Sequence, residues 1–558
     1  MNDAISGGPR SGAELVVKTL EERGVRYVFG VPGAKIDSVY NALVDSTIQT
    51  VVCRHEQNAA FIAGGIGRMT GKAGVAIVTS GPGVSNLATG LATANSEGDP
   101  VVALGGAVAT EESLKQIHQT MDSVSLCKPV TKFSAAVPSP AAVCEVVSNA
   151  FRAAESGRPG AAFVSLPKDI MLAPAQGKLI VPPSFAGQGA ADKAALGEAA
   201  RLLSAAANPV VLLGLLASKP ANADAIREFV GKSDLPVVGT FQAAGAVGAH
   251  FMRNFGGRVG LIANQPADRL LESADVVITI GYDPVEYEPA QWNNGATRPI
   301  IHVDVMPADL DNCYSPAVEL IGDIAGTLES LASILDRTQT SATSTSILND
   351  IDEHRRALER EARGRNGQPV HPLRLVADIQ PFLESDVTVC LDMGSFHIWL
   401  ARHMYSFQAR QLLMTDGQQT LGVALPWAIA ASLVRPSEKV LSISGDGGFL
   451  FSAMELETAV RLKCNIVHMI WIDGTYDMVA IQEVQKYGRK SGVDLGPYDP
   501  VKYAEAFGAT GFMINHSDDI VPVLKRAFDT QGPVIVGVRV DYSDNHKLFE
   551  MVNRDTFH

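Results

Sequence analysis

Short apolar runs alternate with helical patterns throughout the chain, and this alternation limits the folds that it can adopt. The runs YVFGVPG, TVVCRHE, VAIVTSG, VVALGG and AAFVSLP have the length of strands and are continuously apolar. Such strands, alternating with helices, are typical of parallel sheets that are covered on both faces. Two further series of such runs follow. The second consists of PVVLLGLLAS, LPVVGTF, DVVITIGYD and IIHVDV, and the third of DVTVCLDMGS, VLSISGDGG, IVHMIWIDG and GPVIVGVRVD. The sequence therefore predicts an α/β protein with three doubly wound parallel-sheet domains.

Two changes in composition separate the three series. Residues 174–192 are rich in Pro, Gly and Ala, and RTQTSATSTS followed by the charged DIDEHRRALEREARGRNGQP marks a second connection. We therefore expect domains at residues 1–178, 192–338 and 366–558. The length of 558 residues is too great for one ordinary core and agrees with this division.

Composition and charge exclude several classes of protein. A hydrophobic fraction of 46% with 19% charged residues is typical of a well-packed globular chain. The net charge of −14 and the lack of Lys/Arg runs argue against nucleic-acid binding. No apolar stretch reaches the roughly 20 residues of a membrane span, and MNDAISGGPRSGAE lacks the apolar core of a signal peptide. The six scattered cysteines include no C-x-x-C pair, so we expect a cytoplasmic protein without a disulfide framework or a zinc site.

The turn SISGDGGF, residues 442–449, carries the strongest chemical signal. A strand that enters a glycine turn and leaves it as a helix presents backbone N–H groups to a phosphate. Asp446 places a carboxylate in this turn, and Asp473 follows the next apolar run, NIVHMIWI. Parallel neighbouring strands end at the same sheet edge, so the two carboxylates are expected close together, where they would bind Mg²⁺ that bridges to a phosphate. Two acidic residues in surface turns are the simpler alternative.

A similar segment occurs in the first series. Residues 75–94 and 440–459 both run from an apolar strand through Ser-Gly-x-Gly to a helix that ends in Thr-Ala. Strand–glycine–helix junctions are common, so chance is one explanation. The other is a pair of related domains whose turns carry different chemistry, with Pro82 in one and Asp446 in the other.

Several longer segments resemble one family. GDG followed, after a further strand, by Asp473 resembles the thiamine diphosphate-binding motif. RHEQNAAFIAGGIGRMTGKAGVAIVTSGPGVSN resembles the pyrimidine-binding domain of thiamine diphosphate-dependent enzymes, and TLGVALPWAIAA resembles the segment that seats their folded cofactor. Within this family, FGVPGAKID, NSEGDPVVALGGAV, GYDPVEYEPAQWN and DMGSFHIWLARH are similar to the catabolic, flavin-independent acetolactate synthases. The likeness covers nearly the whole chain, in the order pyrimidine-binding, central and diphosphate-binding domain.

The resemblance implies an enzyme that uses thiamine diphosphate and Mg²⁺ without FAD. It would decarboxylate pyruvate and join the two-carbon unit to a second pyruvate, which gives 2-acetolactate and CO₂. It also implies a homodimer or homotetramer with active sites between chains. The alternatives are a sister enzyme, such as a pyruvate oxidase, a decarboxylase or a glyoxylate ligase, and a non-catalytic member of the family. Bound flavin or acetaldehyde as product would favour the sister enzymes, and a failure to bind the cofactor would favour the non-catalytic protein.

Glu56 is the catalytic residue that the resemblance implies. In the family such a Glu hydrogen-bonds the aminopyrimidine ring of the cofactor and promotes loss of the proton at thiazolium C2. This role needs a carboxyl that exchanges a proton near neutral pH, which partial burial would favour. HEQNA lacks the second His of an H-E-x-x-H metalloprotease helix. Alternatively, Glu56 caps a helix or pairs with Arg54.

The resemblance assigns the remaining cofactor contacts to loops of the first and third series. Leu421 would separate the two rings of the cofactor, and His397 would lie at its diphosphate, although both residues are equally consistent with a core position. Mg²⁺ would be held by Asp446, Asp473 and the carbonyl of Thr475. The family usually has Asp-Asn-Gly-Tyr-Asn where this chain has DGTYD, so Thr475 replaces a glycine and the local backbone is in question. The full predicted cofactor set is Glu56, Thr79, Pro82, Asn86, Gly394, Ser395, His397, Gln418, Gln419, Thr420, Leu421, Gly445, Asp446, Gly447, Gly448 and Tyr476.

The substrate residues are also implied by the resemblance. Gln119 and Gln482 match family positions that face the reacting centre and are predicted to be catalytic and to contact pyruvate. Lys35 and Arg158 are the cationic candidates for the pyruvate carboxylate. Both lie in turns, where exposed Lys and Arg are common, so either one is also consistent with a plain surface position.

Overall fold

The structure is a computed structural model that describes residues 10–549 except 176, 182, 184–186, 262, 336–339 and 384–385. These residues form three six-stranded parallel sheets and one two-stranded antiparallel pair, which confirms the predicted α/β class. The contacts divide the chain into two compact units. The first unit comprises the described residues of 10–183, with Ile429–Val434 and Met454–Leu462, and the second comprises the described residues of 187–428, 435–453 and 463–549.

The first unit contains the first sheet. Its strands are β1 (Arg10–Ser11), β2 (Tyr27–Val31), β3 (Gln49–Val52), β4 (Gly74–Val78), β5 (Val101–Ala107), β6 (Phe133–Ala136), β7 (Ala161–Pro167) and β8 (Pro174–Ala175). Its helices are α1 (Gly12–Glu22), α2 (Asp37–Leu43), α3 (Glu56–Thr70), α4 (Pro82–Ser85), α5 (Ala88–Ser96), α6 (Ser123–Cys127), α7 (Val143–Glu155) and α8 (Lys168–Leu172). The sheet order is β3-β2-β4-β5-β7-β6, while β1 pairs with β8. Every residue of β4 and β7 is buried, as their continuous apolar sequences predict.

The second sheet is built from residues of the central series. Its strands are β9 (Pro209–Leu213), β10 (Val237–Thr240), β11 (Phe255–Val259), β12 (Val276–Ile280), β13 (Ile300–Asp304) and β14 (Val318–Ile321). Its helices are α9 (Lys193–Ala205), α10 (Pro220–Ser233), α11 (Asp268–Ser273), α12 (Pro289–Trp292) and α13 (Ile324–Ile334). The sheet order is β11-β10-β9-β12-β13-β14.

Most of the charged segment that we interpreted as a connection lies in a 23-residue helix, α14 (Ala342–Gly364). Asp352 pairs with Arg355 and Arg356, three and four residues further along the helix. Ile347 and Ala362 are buried. Burial of these two apolar side chains and the ion pairs between residues three and four apart both stabilise the helix.

The third sheet follows α14. Its strands are β15 (Thr388–Leu391), β16 (Leu412–Leu413), β17 (Val440–Gly445), β18 (Ile466–Ile472), β19 (Thr510–Ile514) and β20 (Val534–Arg539). The helices are α15 (Pro372–Ile379), α16 (Ser395–His403), α17 (Ala424–Val434), α18 (Asp446–Leu450), α19 (Leu456–Arg461), α20 (Asp477–Tyr487), α21 (Pro500–Ala506) and α22 (Ile520–Asp529). The sheet order is β16-β15-β17-β18-β20-β19.

The first and third sheets have the same topology. Counted from β2 and from β15, each runs second, first, third, fourth, sixth, fifth strand. The two similar segments noted in the sequence lie at β4 and at β17, which are the third strands of this count. The shared order supports the interpretation of two related domains. It also places a ligand crevice at the carboxyl ends of β2 and β4 and of β15 and β17, where the strand order reverses.

Two expectations from composition concern the whole chain. No disulfide joins any of the six cysteines, all of which lie in the described part of the chain. Among the helices just given, none combines the length and the apolar character that crossing a bilayer requires.

Candidate active site

Glu56 lies at the carboxyl edge of the first sheet as the first residue of α3. His55 caps this helix, and its ring Nδ1 accepts the N–H of Gln57 at 3.1 Å. The Glu56 carboxyl Oε2 accepts a hydrogen bond from Asn86 Nδ2 at 2.9 Å. The structure therefore brings together two of the predicted pyrimidine contacts. Thr79 follows β4 at the same edge, and its buried Oγ1 has no hydrogen-bond partner among the described residues, which fits a further polar ligand.

Gln119 lies against the turn SGPG, residues 80–83, which follows β4. Ser80 Oγ donates to Gln119 Oε1 at 3.1 Å, and a Cβ added to Gly81 would be only 3.1 Å from the Cβ of Gln119. Gly81 has φ 59°, so the turn needs glycine there both for its conformation and for this close approach. Gln119 itself has φ 62°, which is uncommon for a residue with a side chain and is often associated with function.

The two cationic candidates lie at opposite edges of the first sheet. Lys35 follows β2 and is therefore at the carboxyl edge, with Glu56; within the described residues its side chain forms no hydrogen bond or ion pair. Arg158 precedes β7 and lies at the amino edge, where its Nη2 donates to the Ser96 carbonyl at 2.7 Å. Within this unit the structure brings Lys35, but not Arg158, to the edge that carries Glu56.

Asp446, which is buried, and Asp473, which is half-buried, lie at the ends of β17 and β18. Asp446 is 4% exposed; its Oδ1 accepts the Gly447 N–H at 3.0 Å and its Oδ2 the Gly474 N–H at 2.8 Å. Asp473 Oδ2 is buried and has no hydrogen-bond partner in the described structure. Burial raises the pKa of Asp446, and burial together with the Asp446 charge raises the pKa of Asp473 to about 8. Without a cation, two such carboxyls resist joint ionisation.

This pair fits a hard divalent cation. The described residues contain no cluster of three or more His, Cys, Asp or Glu side chains suited to a metal ion. A cation held by two carboxylates must complete its shell with backbone, phosphate or water oxygens, and that is the usual surrounding of Mg²⁺. The predicted contribution of a diphosphate and of the Thr475 carbonyl is consistent with this arrangement.

In the turn DGTYD, residues 473–477, the left-handed backbone conformation falls on Gly474, with φ 76°, and not on Thr475. Thr475 pairs with Asp494 in an antiparallel bridge. The substitution of a glycine by Thr475 therefore causes no strain in φ at that position. Tyr476 packs on the glycine turn, because a Cβ added to Gly447 would lie 2.6 Å from its ring Cε1.

Ser395 and His397 begin helix α16 after Gly394. Ser395 Oγ donates to Asp477 Oδ2 at 2.6 Å. His397 is fully buried, with Nδ1 3.0 Å from the Asp392 carbonyl, and burial lowers the pKa of its ring to about 4. The ring Nε2 is buried and has no hydrogen-bond partner among the described residues, although Asp416 Oδ1 lies 3.9 Å away. A nearby diphosphate would favour the protonated ring, in which Nε2 donates.

The loop that precedes α17 contains four predicted cofactor contacts, Gln418, Gln419, Thr420 and Leu421. Gln418 and Gln419 are exposed, whereas Leu421 is half-buried. Gln482 is likewise half-buried, on α20. The structure places these residues on the same unit as the Asp446 pair but shows no hydrogen bond from the Gln482 side chain to any described residue.

Asp392 is a residue that our reading of the sequence missed. It follows β15 and is 1% exposed. Its Oδ1 accepts the N–H of Met393 at 2.9 Å, and both of its oxygens accept the N–H of Gly422, at 2.8 and 3.0 Å. Burial raises the pKa of Asp392 to about 7, against the effect of these hydrogen bonds. Asp392 thereby holds the loop that carries Leu421. Its position directly after a strand, like that of Asp446, was the available signal.

Comparisons with known proteins concern the domains and the chain as a whole. The profiles of thiamine pyrophosphate enzymes match residues 10–126 as the N-terminal binding domain, residues 196–331 as the central domain and residues 392–538 as the C-terminal binding domain. The chain is 55% identical over 539 residues to the catabolic acetolactate synthase of Raoultella terrigena, with 96% of each chain covered. It is 49% identical over 537 residues to the acetolactate synthase of Bacillus subtilis strain 168, with 96% of this chain and 94% of the relative covered. It is 30% identical over 546 residues to the acetolactate synthase isozyme 2 large subunit of Escherichia coli K12, with 96% of each covered.

Proposed function

Because the chain belongs to the acetolactate synthases of the thiamine pyrophosphate enzyme family, we propose that it converts two molecules of pyruvate into 2-acetolactate and CO₂. The observation that carries the proposal is the Asp446–Asp473 pair of carboxyls at the turn SGDGG, in which the buried Oδ2 of Asp473 has no hydrogen-bond partner among the described residues. Asp446, Asp473 and the Thr475 carbonyl would hold Mg²⁺, and Ser395, His397 and Gly445 to Gly448 would surround the diphosphate. When bound, thiamine diphosphate supplies the carbon nucleophile and accepts the electron pair released with CO₂.

Glu56 would move the proton that activates the cofactor. Asn86 donates to its Oε2, whereas Oε1 has no hydrogen bond to any described residue and would face the aminopyrimidine nitrogen. The Asn86 hydrogen bond also fixes the plane of the carboxyl, as a group that gives and takes a proton at one atom requires. Thr79 and Pro82 would line the same side of the pyrimidine ring. We assign this pyrimidine-binding domain to residues 1–178, the central domain to 192–338 and the diphosphate-binding domain to 366–558.

Lys35 is the better candidate for the pyruvate carboxylate. It lies at the carboxyl edge of the first sheet, whereas Arg158 lies at the amino edge and is bonded to the Ser96 carbonyl. Gln119, held at the SGPG turn by Ser80, would contact the substrate from the same edge. Gln482 on α20 would do so from the diphosphate-binding domain.

The central sheet supports the proposal that no flavin is needed. Its strand order changes direction between β9 and β12, where a dinucleotide would bind in an open sheet of this kind. The buried carboxylate of Glu286 lies in this crevice: its Oε1 accepts the N–H groups of Leu215, after β9, and Asp283, after β12, at 2.9 and 3.0 Å. Its Oε2 accepts from Thr240 Oγ1 at 2.6 Å. Backbone donors that would serve a diphosphate are therefore already bound to an internal anion.

Exposed apolar side chains support an assembly of several copies. Leu450 and Phe451, next to the glycine turn, are 45% and 47% exposed. Val484 and Tyr487 on α20 are 50% and 65% exposed. Apolar surface beside a polar site is typical of an interface, and we propose a homodimer or homotetramer with active sites between chains.

Six cysteines without a disulfide support a cytoplasmic location.

The function is tested by supplying pyruvate, Mg²⁺ and thiamine diphosphate without flavin and identifying the product. We expect 2-acetolactate as the main product and no stimulation by added FAD. Acetaldehyde as the main product, or activity that depends on a bound flavin, would assign the chain to the decarboxylase or oxidase chemistry of the family instead. Absence of cofactor binding would indicate a non-catalytic protein.

A further inference from the structure

The carboxyl of Glu455 is buried and has no part in the proposed chemistry. It is 0% exposed and lies in Met454–Leu462, a segment that belongs to the first compact unit. Its Oε1 accepts the backbone N–H groups of Arg54 and His55 at 2.8 and 3.1 Å and the side-chain Nδ2 of Asn58 at 3.2 Å. Three donors from the start of α3 therefore converge on one oxygen of Glu455.

The charge of this carboxyl suits its position. Burial raises the pKa of Glu455, and the hydrogen bonds from Thr458, Arg54, Asn58 and His55 oppose that effect. The 15-residue helix α3 presents the positive end of its dipole at Glu56, and this end stabilises a nearby carboxylate. Hydrogen bonds from backbone N–H groups to a carboxylate are stronger than those between neutral groups. Thr458 Oγ1 holds the second oxygen, Oε2, at 2.6 Å and fixes the orientation of the group.

The position of Glu56 depends on the same backbone. Glu56 directly follows the two residues whose N–H groups Glu455 binds, while its own carboxyl is held by Asn86. We propose that Glu455 is a positioning residue for Glu56, which it serves by fixing the main chain from which the Glu56 carboxyl projects. This inference rests on the proposed role of Glu56 in cofactor activation. Displacing a reacting group by about 1 Å lowers a rate by about 10²-fold, so a small shift of this main chain has a measurable effect.

Glu457 provides a matched control two residues further on. Its side chain is 33% exposed and pairs with Arg54 Nε at 3.4 Å and with Arg461 Nε at 3.1 Å. Glu457 thus contacts the side chain of Arg54, whereas Glu455 binds its backbone. Exposed ion pairs of this type contribute little to stability. Loss of the Glu457 charge should therefore leave Glu56 in place.

The test measures proton–deuterium exchange at C2 of the bound cofactor, read by quench and NMR, in full-length protein saturated with thiamine diphosphate and Mg²⁺. Glu455→Asp keeps the charge but withdraws the carboxylate by about 1.5 Å, the length of one bond. We expect it to slow exchange about 10- to 100-fold. Glu455→Gln keeps the reach and one accepting oxygen and should lose less. Glu457→Gln should exchange at the unmodified rate. Exchange in Glu455→Asp as fast as in the unmodified protein would overturn the proposal, even if its melting temperature fell.

A double variant separates positioning from an independent effect. If Glu455 acts through Glu56, then Glu56→Gln/Glu455→Asp should exchange no more slowly than Glu56→Gln alone. Losses that multiply would show that Glu455 acts by another route and would overturn the proposal. If Glu56→Gln leaves exchange unchanged, the proposed role of Glu56 fails and this inference falls with it. A slow Glu56→Gln with a fast Glu455→Asp overturns only the inference.

Discussion

The carboxyl of Glu56 has one oxygen held by Asn86, and the other forms no hydrogen bond with the described residues, so its loss should affect proton transfer specifically. Glu56→Gln preserves size and shape but cannot exchange the proton. We expect turnover with pyruvate to fall about 10²–10⁴-fold, the usual contribution of general acid–base catalysis. Cofactor affinity should fall modestly, since a charge-assisted hydrogen bond is worth roughly 1.5–3 kcal/mol. Exchange at cofactor C2 is the decisive measurement, and a rate equal to that of the unmodified protein would show that Glu56 is a structural residue.

A substitution of Asp473 tests whether its carboxyl binds the metal ion. Asp473→Ala removes the carboxyl whose Oδ2 has no partner in the described residues. We expect weaker binding of Mg²⁺ and of thiamine diphosphate, with activity partly restored at high concentrations of both. Asp494→Ala is the control, because this nearby side chain is 71% exposed and pairs only with Lys490 among the described side chains. Unchanged cofactor affinity of Asp473→Ala at low Mg²⁺ would contradict a ligand role.

At the scale of an element, the loop before α17 depends on Asp392. The Asp392 carboxylate accepts the N–H groups of Met393 and Gly422 inside the protein. Asp392→Ala leaves these buried donors unpaired, at roughly 1–3 kcal/mol each. We expect a loss of roughly 2–4 kcal/mol in urea unfolding of the cofactor-free protein, together with weaker cofactor binding through the displaced Leu421. Asp386→Ala, at an exposed carboxyl bonded to Gln408, should change neither quantity. Equal stability of both variants would refute the assignment.

At the scale of the whole molecule, the proposal is that each active site takes Glu56 from one chain and Asp446 from another. Glu56 belongs to the first unit and Asp446 to the second. If each site is formed between chains, as in our proposal, an inactive Glu56→Gln chain and an inactive Asp446→Ala chain should together form a mixed dimer with one intact site. Activity should appear on mixing under conditions that exchange subunits. Verified mixed dimers without any activity would argue for sites formed within single chains.

The fold class and the strand-end positions of three proposed site residues could be predicted from the sequence. In a parallel sheet, the direction of each strand fixes which edge the following residue occupies, so Asp446, Asp473 and Glu56 could be placed from their neighbouring apolar runs. The same rule, had we applied it to Arg158, would have placed that residue before its strand and at the other edge. The effect of Thr475 in place of a glycine could not be predicted from the sequence. It depends on the backbone conformation of Gly474 and on the bridge between Thr475 and Asp494.

The contacts between residues that are distant in sequence became visible only in the folded chain. Glu455 and Arg54 are 401 residues apart in sequence, yet they share a hydrogen bond at the start of α3. Asp392 binds Gly422 across 30 residues, and Glu286 lies between the ends of β9 and β12. Local propensity and periodicity report the neighbours of a residue along the chain, while these contacts arise from the packing of separate elements. A buried carboxylate must find donors wherever the fold presents backbone N–H groups, and that arrangement exists only once the chain is folded.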